Sequence, residues 1–166
     1  MILVGGGVGI PPLYHWAATA LKAKRVKKED VTVFLGARTK DYLLCEADFK
    51  KLGVELILTT NDGTKGKKGL VTEPLEALLK TLRTPNSSLR TIIYTCGPTP
   101  MMKAVAEISQ KYSVPCEVSV EVPMACGFGA CLGCAIKVKG QDAGDFRFAI
   151  ACTEGPVFKG SELAWE

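Results

Sequence analysis

The chain has 166 residues, 47% hydrophobic and 23% charged, which suits one ordinary domain plus a small appendage and excludes disorder and fibres. Its net charge of +4 is spread through Lys24, Arg25, Lys27, Lys28, Lys50, Lys51 and the loop from Lys65 to Lys68, with few aromatics between, so it reads as solvated faces and not as a nucleic-acid footprint. No apolar run approaches the roughly 20 residues of a membrane helix, and no basic segment followed by an apolar one and a cleavage site opens the chain, so the expectation is a cytoplasmic protein with no membrane span.

From the N-terminus, short β-branched or apolar runs alternate with longer segments of helical period, the pattern of a parallel sheet flanked by helices. Five strands are predicted, at Ile2–Val4, Val31–Leu35, Val54–Leu58, Thr91–Thr95 and Pro115–Val120, with runs apolar enough to be buried on both faces. Four helices are predicted to start near Pro12, Asp41, Thr72 and Pro98; Met101, Met102, Val105 and Ile108 give the fourth one apolar face. Thr84-Pro85-Asn86-Ser87-Ser88 reads as a polar linker into the fourth strand. At Pro123 the alternation stops, and a cysteine-rich loop, a β-like pair (Ala135–Lys139 and Phe146–Ala151) and a turn at Gly155-Pro156 follow. The expected fold is therefore α/β, with an α/β domain over 1–120 and a small second domain over 121–166.

The first strand runs into Gly5-Gly6-Gly7-Val8-Gly9-Ile10-Pro11-Pro12, a glycine-rich turn from strand to helix. Such turns let a pyrophosphate sit on backbone N–H groups at a helix N-terminus, which singles out Gly6, Gly7, Gly9 and Pro12; the bland alternative is a tight structural turn. Read from Gly7 as G-x-G-x-x-P, the segment departs from the dinucleotide fingerprint by ending in proline. The acidic ribose ligand usual at the end of the second strand is replaced by Leu35-Gly36-Ala37-Arg38, where Arg38 either meets an adenosine phosphate or faces solvent. The choice between NAD(H) and NADP(H) stays open. Asp62, in Asn61-Asp62-Gly63, lies on the ligand side of the sheet, or merely makes a turn. Cys96-Gly97-Pro98 after the fourth strand repeats the strand end, glycine and helix start; Cys96 is a small buried hydrophobe or a reactive group there. Cys45 and Cys116 read as buried hydrophobes, the single His15 as a packed or exposed side chain, and the Lys65–Lys68 loop as a solvated turn.

Four of the seven cysteines, Cys126, Cys131, Cys134 and Cys152, read C-x4-C-x2-C followed by x17-C, the ligand spacing of a plant-type [2Fe-2S] cluster. Gly127, Gly129 and Gly133 between the first three leave few β-carbons in the way of a wrapping backbone. The alternative is a structural zinc site, although zinc ligands usually come as two short C-x2-C hooks. An odd cysteine count with metal spacing favours thiolates in a reducing compartment over disulfides.

Taken together, Gly6 through Leu13, Gly36-Ala37-Arg38, Asp62-Gly63, Cys96-Gly97-Pro98, Met124 through Cys134 and the closing Cys152-Thr153-Glu154-Gly155-Pro156-Val157-Phe158 resemble the electron-transfer subunits of dihydroorotate dehydrogenase B, in matching order along nearly the whole chain. The resemblance implies a ferredoxin-reductase-like NAD-binding domain, a [2Fe-2S] domain, FAD held in an N-terminal β-barrel, and an FMN-containing catalytic subunit as partner in pyrimidine biosynthesis. The chain starts at the first α/β strand, so that barrel is expected to lie outside these residues, through truncation or on another chain, and the chain is not expected to be active alone. A related group, the small subunits of ferredoxin:NADP oxidoreductase and sulfide dehydrogenase, is similar to D-G-T-G-M-C-G-x-C at the cluster, where this chain has Cys126 in the first position. No side chain is expected to act as a general acid or base. The reading from another class is a nucleotide-binding or zinc-stabilised regulatory module.

Overall fold

A computed structural model describes residues 1–82, 91–140, 142 and 144–165. The expected linker at 84–88 lies outside the described residues. Five parallel strands form the core of one sheet: β1 (Ile2–Gly6), β2 (Thr32–Ala37), β3 (Glu55–Thr60), β5 (Ile93–Cys96) and β6 (Cys116–Ser119). Each expected strand is present, most of them shifted by a residue or two toward the turn that follows. The sheet also holds two strands that the sequence reading lacked. Lys67–Lys68 (β4) adds two residues parallel to β3, and Val157–Lys159 (β9) pairs antiparallel with β6, giving the order β4-β3-β2-β1-β5-β6-β9. Runs of two and three residues carry no readable alternation, so among the described residues the sheet holds seven strands, the expected five with two short ones added at its edges.

Side chains alternate across the pleat, as a strand requires. Ile2, Val4 and Phe34 enter one buried cluster, whereas Leu3, Val33 and Leu35 enter the other. The second cluster packs under α1 (Ile10–Lys22) and α2 (Glu46–Leu52); the first packs under α3 (Thr72–Leu82) and α4 (Thr99–Lys111). The helix expected from Asp41 is divided. Lys40–Tyr42 forms a single 3-10 turn, and α2 begins at Glu46 after Cys45, whose φ of 54° lies in the left-handed region and breaks the helix there.

Beyond β6 the chain makes the cysteine loop, then a hairpin of β7 (Ala135–Lys139) and β8 (Phe146–Ile150), then a four-residue helix, α5 (Ala151–Glu154). The expected second strand therefore ends one residue early, where Ala151 opens α5. Cys134, Val138, Ala149, Ala151, Phe158 and Leu163 all belong to the buried cluster that also holds Met102 and Val105 of α4. The segment after Pro123 thus shares a core with the sheet, and β9 shares the sheet itself. No helix among the described residues is long and apolar enough to cross a membrane.

Candidate functional site

Strand β1 is bounded by β2 on one side and β5 on the other, so chain direction across the sheet reverses between β1 and β5. Ligands of such sheets lie in the crevice outside the carboxyl ends of strands at this reversal. Two strand-to-helix turns meet there. A Cβ on Gly9 would overlap the backbone of Cys96 and Gly97, and one on Gly97 would stand 2.7 Å from Gly6 O and 2.8 Å from Met101 Cε. Gly97 has φ +149°, so glycine is required there on both counts. Gly6 in turn packs against Met101 and Pro98. Gly7, at φ +53°, has open space where a side chain would be, which leaves its backbone free for a ligand.

The 3-10 turn Gly7–Gly9 leads straight into α1, and Gly9 caps that helix without a side chain. Pro11 and Pro12 bring no N–H, and the Ile10 N–H donates to Gly7 O. The first turn of α1 therefore contributes few donors, and a phosphate would meet the N–H groups of the Gly7–Gly9 turn. Pro12 and Pro98 are exposed at the two helix starts.

Arg38 is exposed one residue beyond β2, and its carbonyl accepts from Asp62 N at 3.3 Å. Asp62 is occupied locally. Its carboxylate accepts from Thr64 N at 3.0 Å and from Thr64 Oγ1 at 2.7 Å, and these bonds hold its pKa below the usual carboxylate range. Cys96 is buried at the crevice floor, where burial pushes its thiol pKa up against a smaller opposing effect of Ser119. His15 is exposed on α1. In the basic loop, Lys65 pairs with Glu46 at 2.6 Å and Lys67 with Glu73 at 3.8 Å.

Two of the four clustered cysteines, Cys134 and Cys152, are brought together by the hairpin. Its register sets Ala135 opposite Ile150, so Cys134, just before β7, meets the segment just after β8. Ala151 N donates to Cys134 O at 3.1 Å, and Cys152 N donates to Cys134 Sγ at 3.4 Å. The x17 spacing is thus two strands, their connection and the first turn of a helix. In the loop, Cys126 Sγ accepts from Cys131 N at 3.5 Å, and Cys131 Sγ accepts from Gly133 N at 3.4 Å. Gly127 and Gly129 have φ of 77° and 87°, and Leu132 has φ 58°, so the backbone turns repeatedly to aim N–H groups inward.

These N–H groups act on charge. Backbone donation from Cys131 and Phe128, with help from the Cys131 side chain, lowers the Cys126 pKa to about 6. Desolvation and the neighbouring Cys134 thiol push that of Cys152 up. Cys126 thus interacts with Cys131, and Cys152 with Cys134 and, more weakly, with Cys126 and the Gly129 N–H. Among the described residues no three His, Cys, Asp or Glu side chains converge as ligands of one metal ion. A two-iron cluster divides its four thiolates between two irons and needs no such convergence. Four thiols, all free of disulfides, with amides directed at sulfur, are a donor set suited to that group.

Between the crevice and the hairpin runs a cleft of about 300 Å³, lined by Thr99, Met102, Glu121, Ile136, Phe148 and Trp165, among others. The buried Trp165 Nε1 has no acceptor among the described residues. Sequence reasoning missed this cleft and also Ser119 and Arg147, which come from separate strands and form no motif; Thr153 and Glu154 stand in the closing segment quoted above but were given no role.

Residues 3–107 match the oxidoreductase NAD-binding domain, and residues 121–164 match the iron-sulfur cluster binding domain of dihydroorotate dehydrogenase B. The chain is 42% identical to the dihydroorotate dehydrogenase B (NAD(+)), electron transfer subunit, of Caldanaerobacter subterraneus subsp. tengcongensis, over 98% of this chain and 58% of that protein. It is 37% identical to an electron transfer subunit homolog of Thermotoga maritima, over 100% of this chain and 53% of that one. A solved structure titled for the NADH-dependent reduced ferredoxin-NADP oxidoreductase and flavin-based electron bifurcation superposes with a TM-score of 0.76 at 36% identity, covering 99% of this chain and 54% of the other. The chain thus spans a little over half the length of these relatives.

Proposed function

The chain belongs to the oxidoreductase NAD-binding family, joined to the cluster-binding domain of the dihydroorotate dehydrogenase B electron transfer subunits, and from that premise we propose that it carries electrons between NAD(H) and the catalytic partner of such a dehydrogenase. One observation carries the reading. The loop before the hairpin carries Cys126 and Cys131, and the hairpin brings Cys134 to Cys152, on a core continuous with the sheet that bears the glycine-rich crevice. Residues 1–120 are the nucleotide-binding domain and 121–166 the cluster domain, packed as one body.

Cys126, Cys131, Cys134 and Cys152 would hold the two irons of a [2Fe-2S] cluster, which would accept and pass single electrons, and backbone N–H groups of the loop would donate to the sulfurs. Gly7 and the N–H groups of the Gly7–Gly9 turn receive the pyrophosphate, while Gly6, Gly9 and Gly97 keep the two turns close enough to form its floor. Arg38 stands at the adenosine end of the crevice, and Asp62 shapes the adjoining turn. Cys96 and Pro98 line the nicotinamide end. A hydride carries two electrons and a two-iron cluster takes one at a time, so a flavin supplies the conversion between them. The cleft lined by Thr99, Glu121 and Trp165 lies between the nucleotide crevice and the hairpin and would admit a flavin ring. The exit side is apolar. From Val122 to Ile136 the sequence holds no charged residue, and Phe128 and Leu132 are 73% and 60% exposed, which suits a lasting contact with an FMN-bearing subunit in the cytoplasm.

The test is reconstitution of the purified chain with iron and sulfide under reducing conditions. Two irons and two sulfides per chain, with visible absorbance, are expected; zinc at one per chain, colourless, would leave a structural or regulatory module. A second reading has its own observation in the 0.76 superposition on the ferredoxin-NADP oxidoreductase structure. It is distinguished by the acceptor. Dihydroorotate-dependent reduction of NAD in the assembled complex favours the first reading, and ferredoxin-dependent reduction favours the second.

A further inference from the structure

Arg147 and Glu154 lie on different elements and meet beside the fourth cysteine. The Ile150 N–H, at the end of β8, donates to Glu154 Oε1 at 2.8 Å, while Arg147 Nη1 donates to Glu154 Oε2 at 2.7 Å. One carboxylate thus bridges the whole of α5, from its last residue back to the residue that precedes it, and a guanidinium anchors that carboxylate to β8. Both bonds are charge-assisted, the stronger class of hydrogen bond. Cys152 lies inside the bridged span. So does Thr153, whose Oγ1 donates to Ile150 O at 3.3 Å and whose Cγ2 would stand 3.0 Å from a Cβ on Gly129. A four-residue helix has too few internal hydrogen bonds to hold itself, and among the described residues β8 has only β7 as a neighbouring strand. What fixes α5 from the open side is this pair.

We propose that Arg147 and Glu154 form a brace that positions Cys152 and, through Thr153 and Gly129, the loop bearing the other thiolates, and that it thereby sets how long the cluster is retained and at what potential. They are positioning residues, with no part in the redox step itself. The inference rests on the cluster reading above. As an ion pair exposed over 58% and 39% of its side chains, the brace adds little to global stability, and its effect is local geometry. Outer partners of metal ligands act in this way on ligand placement.

The test compares reconstituted wild type with Glu154→Ala, Glu154→Gln, Arg147→Ala and Arg147→Lys, following iron release to a chelator, visible circular dichroism and the midpoint potential. Glu154→Ala loses both bonds and releases iron about tenfold faster, with an altered visible spectrum. Arg147→Lys keeps a cation on the carboxylate and stays near wild type. Arg147→Ala leaves an uncompensated carboxylate near the cluster and makes the potential more negative. Glu154→Gln leaves an uncompensated guanidinium and makes it more positive, a reversal of sign that a merely structural role does not produce. Far-ultraviolet circular dichroism checks that each variant is folded. Four variants with wild-type release rates and potentials remove the brace alone; a wild type that takes up no iron and sulfide removes the cluster reading, and the brace with it.

Discussion

Individual residues in this chain are placed by backbone demands as much as by side-chain chemistry. Gly7 and Gly9 stand two positions apart in one turn but answer to different constraints. Gly7 has a left-handed φ and open space, so Gly7→Ala is expected to cost about 1–2 kcal/mol of backbone strain. Gly9→Ala drives a methyl into the Cys96–Gly97 peptide, and overpacking of about 1–3 kcal/mol comes with separation of the two turns. Nucleotide binding should therefore fall in both variants, whereas thermal unfolding should drop further in Gly9→Ala. Equal losses on both measures would contradict that division. Among the cysteines, Cys126 differs from Cys116, whose thiol burial pushes up to about 11 while loop N–H groups lower Cys126 to about 6. The folded pKa of Cys126 is depressed, so its thiolate predominates above that value and is lost as pH falls through it. In the cofactor-free chain, alkylation mapped by mass spectrometry should reach half its plateau rate at Cys126 near pH 6. Cys116 should stay unmodified until the chain unfolds. A midpoint near that of an ordinary thiol would mean that the loop amides do not stabilise the thiolate.

Among the elements, β9 joins the two parts of the molecule. Phe158 sits opposite Val118 of β6, is 8% exposed, and lies where a Cβ on Gly155 would overlap its ring. Phe158→Ala removes a buried ring from the shared cluster, at an expected cost of about 3 kcal/mol. Because Gly155 directly follows α5, the same change should loosen the helix that carries Cys152. Denaturant unfolding should show the loss of stability, and iron retention after reconstitution should fall in parallel. A variant that is destabilised yet keeps its iron as wild type does would separate β9 from the cluster. The hairpin is the complementary case. Its expected strands match the observed ones to within a residue, because Ala-Ile-Lys-Val-Lys and Phe-Arg-Phe-Ala-Ile carry enough residues to express a strand pattern.

At the scale of the whole molecule, one end of the sheet offers a polar glycine-rich crevice and the hairpin end offers an uncharged tip, 122–136, with Met124, Phe128 and Leu132 exposed. Association through such a tip depends on apolar contact, and salt screens only charges. If the proposed function holds, affinity for the electron-accepting subunit should therefore change little between low and high ionic strength, as read by titration calorimetry. A steep fall with salt would point to docking through the lysine-rich faces instead. The chain alone should reduce its own cluster poorly with NADH, and stopped-flow absorbance should show rapid reduction once the flavin-bearing part is supplied. Rapid reduction without any flavin would overturn the need for that intermediate.

The sequence by itself determined the five parallel strands, the glycine turns and the cysteine spacing, because each is written in neighbouring residues: apolar runs bounded by turn residues, glycines where a strand ends and a helix begins, thiols a few positions apart. It could not distinguish Asp62 as a ligand from Asp62 as a turn, since that depended on Thr64 occupying its carboxylate. Nor could it find β4 and β9, which are too short for a pattern, or the contact of Gly9 with Cys96, which joins residues far apart in the chain. The approach of Cys134 to Cys152 and the Arg147–Glu154 contact were likewise decided only by the tertiary structure. Both depend on the hairpin register, which brings Cys134 to Cys152 and leaves the open edge of β8 to be closed by a carboxylate from the next element.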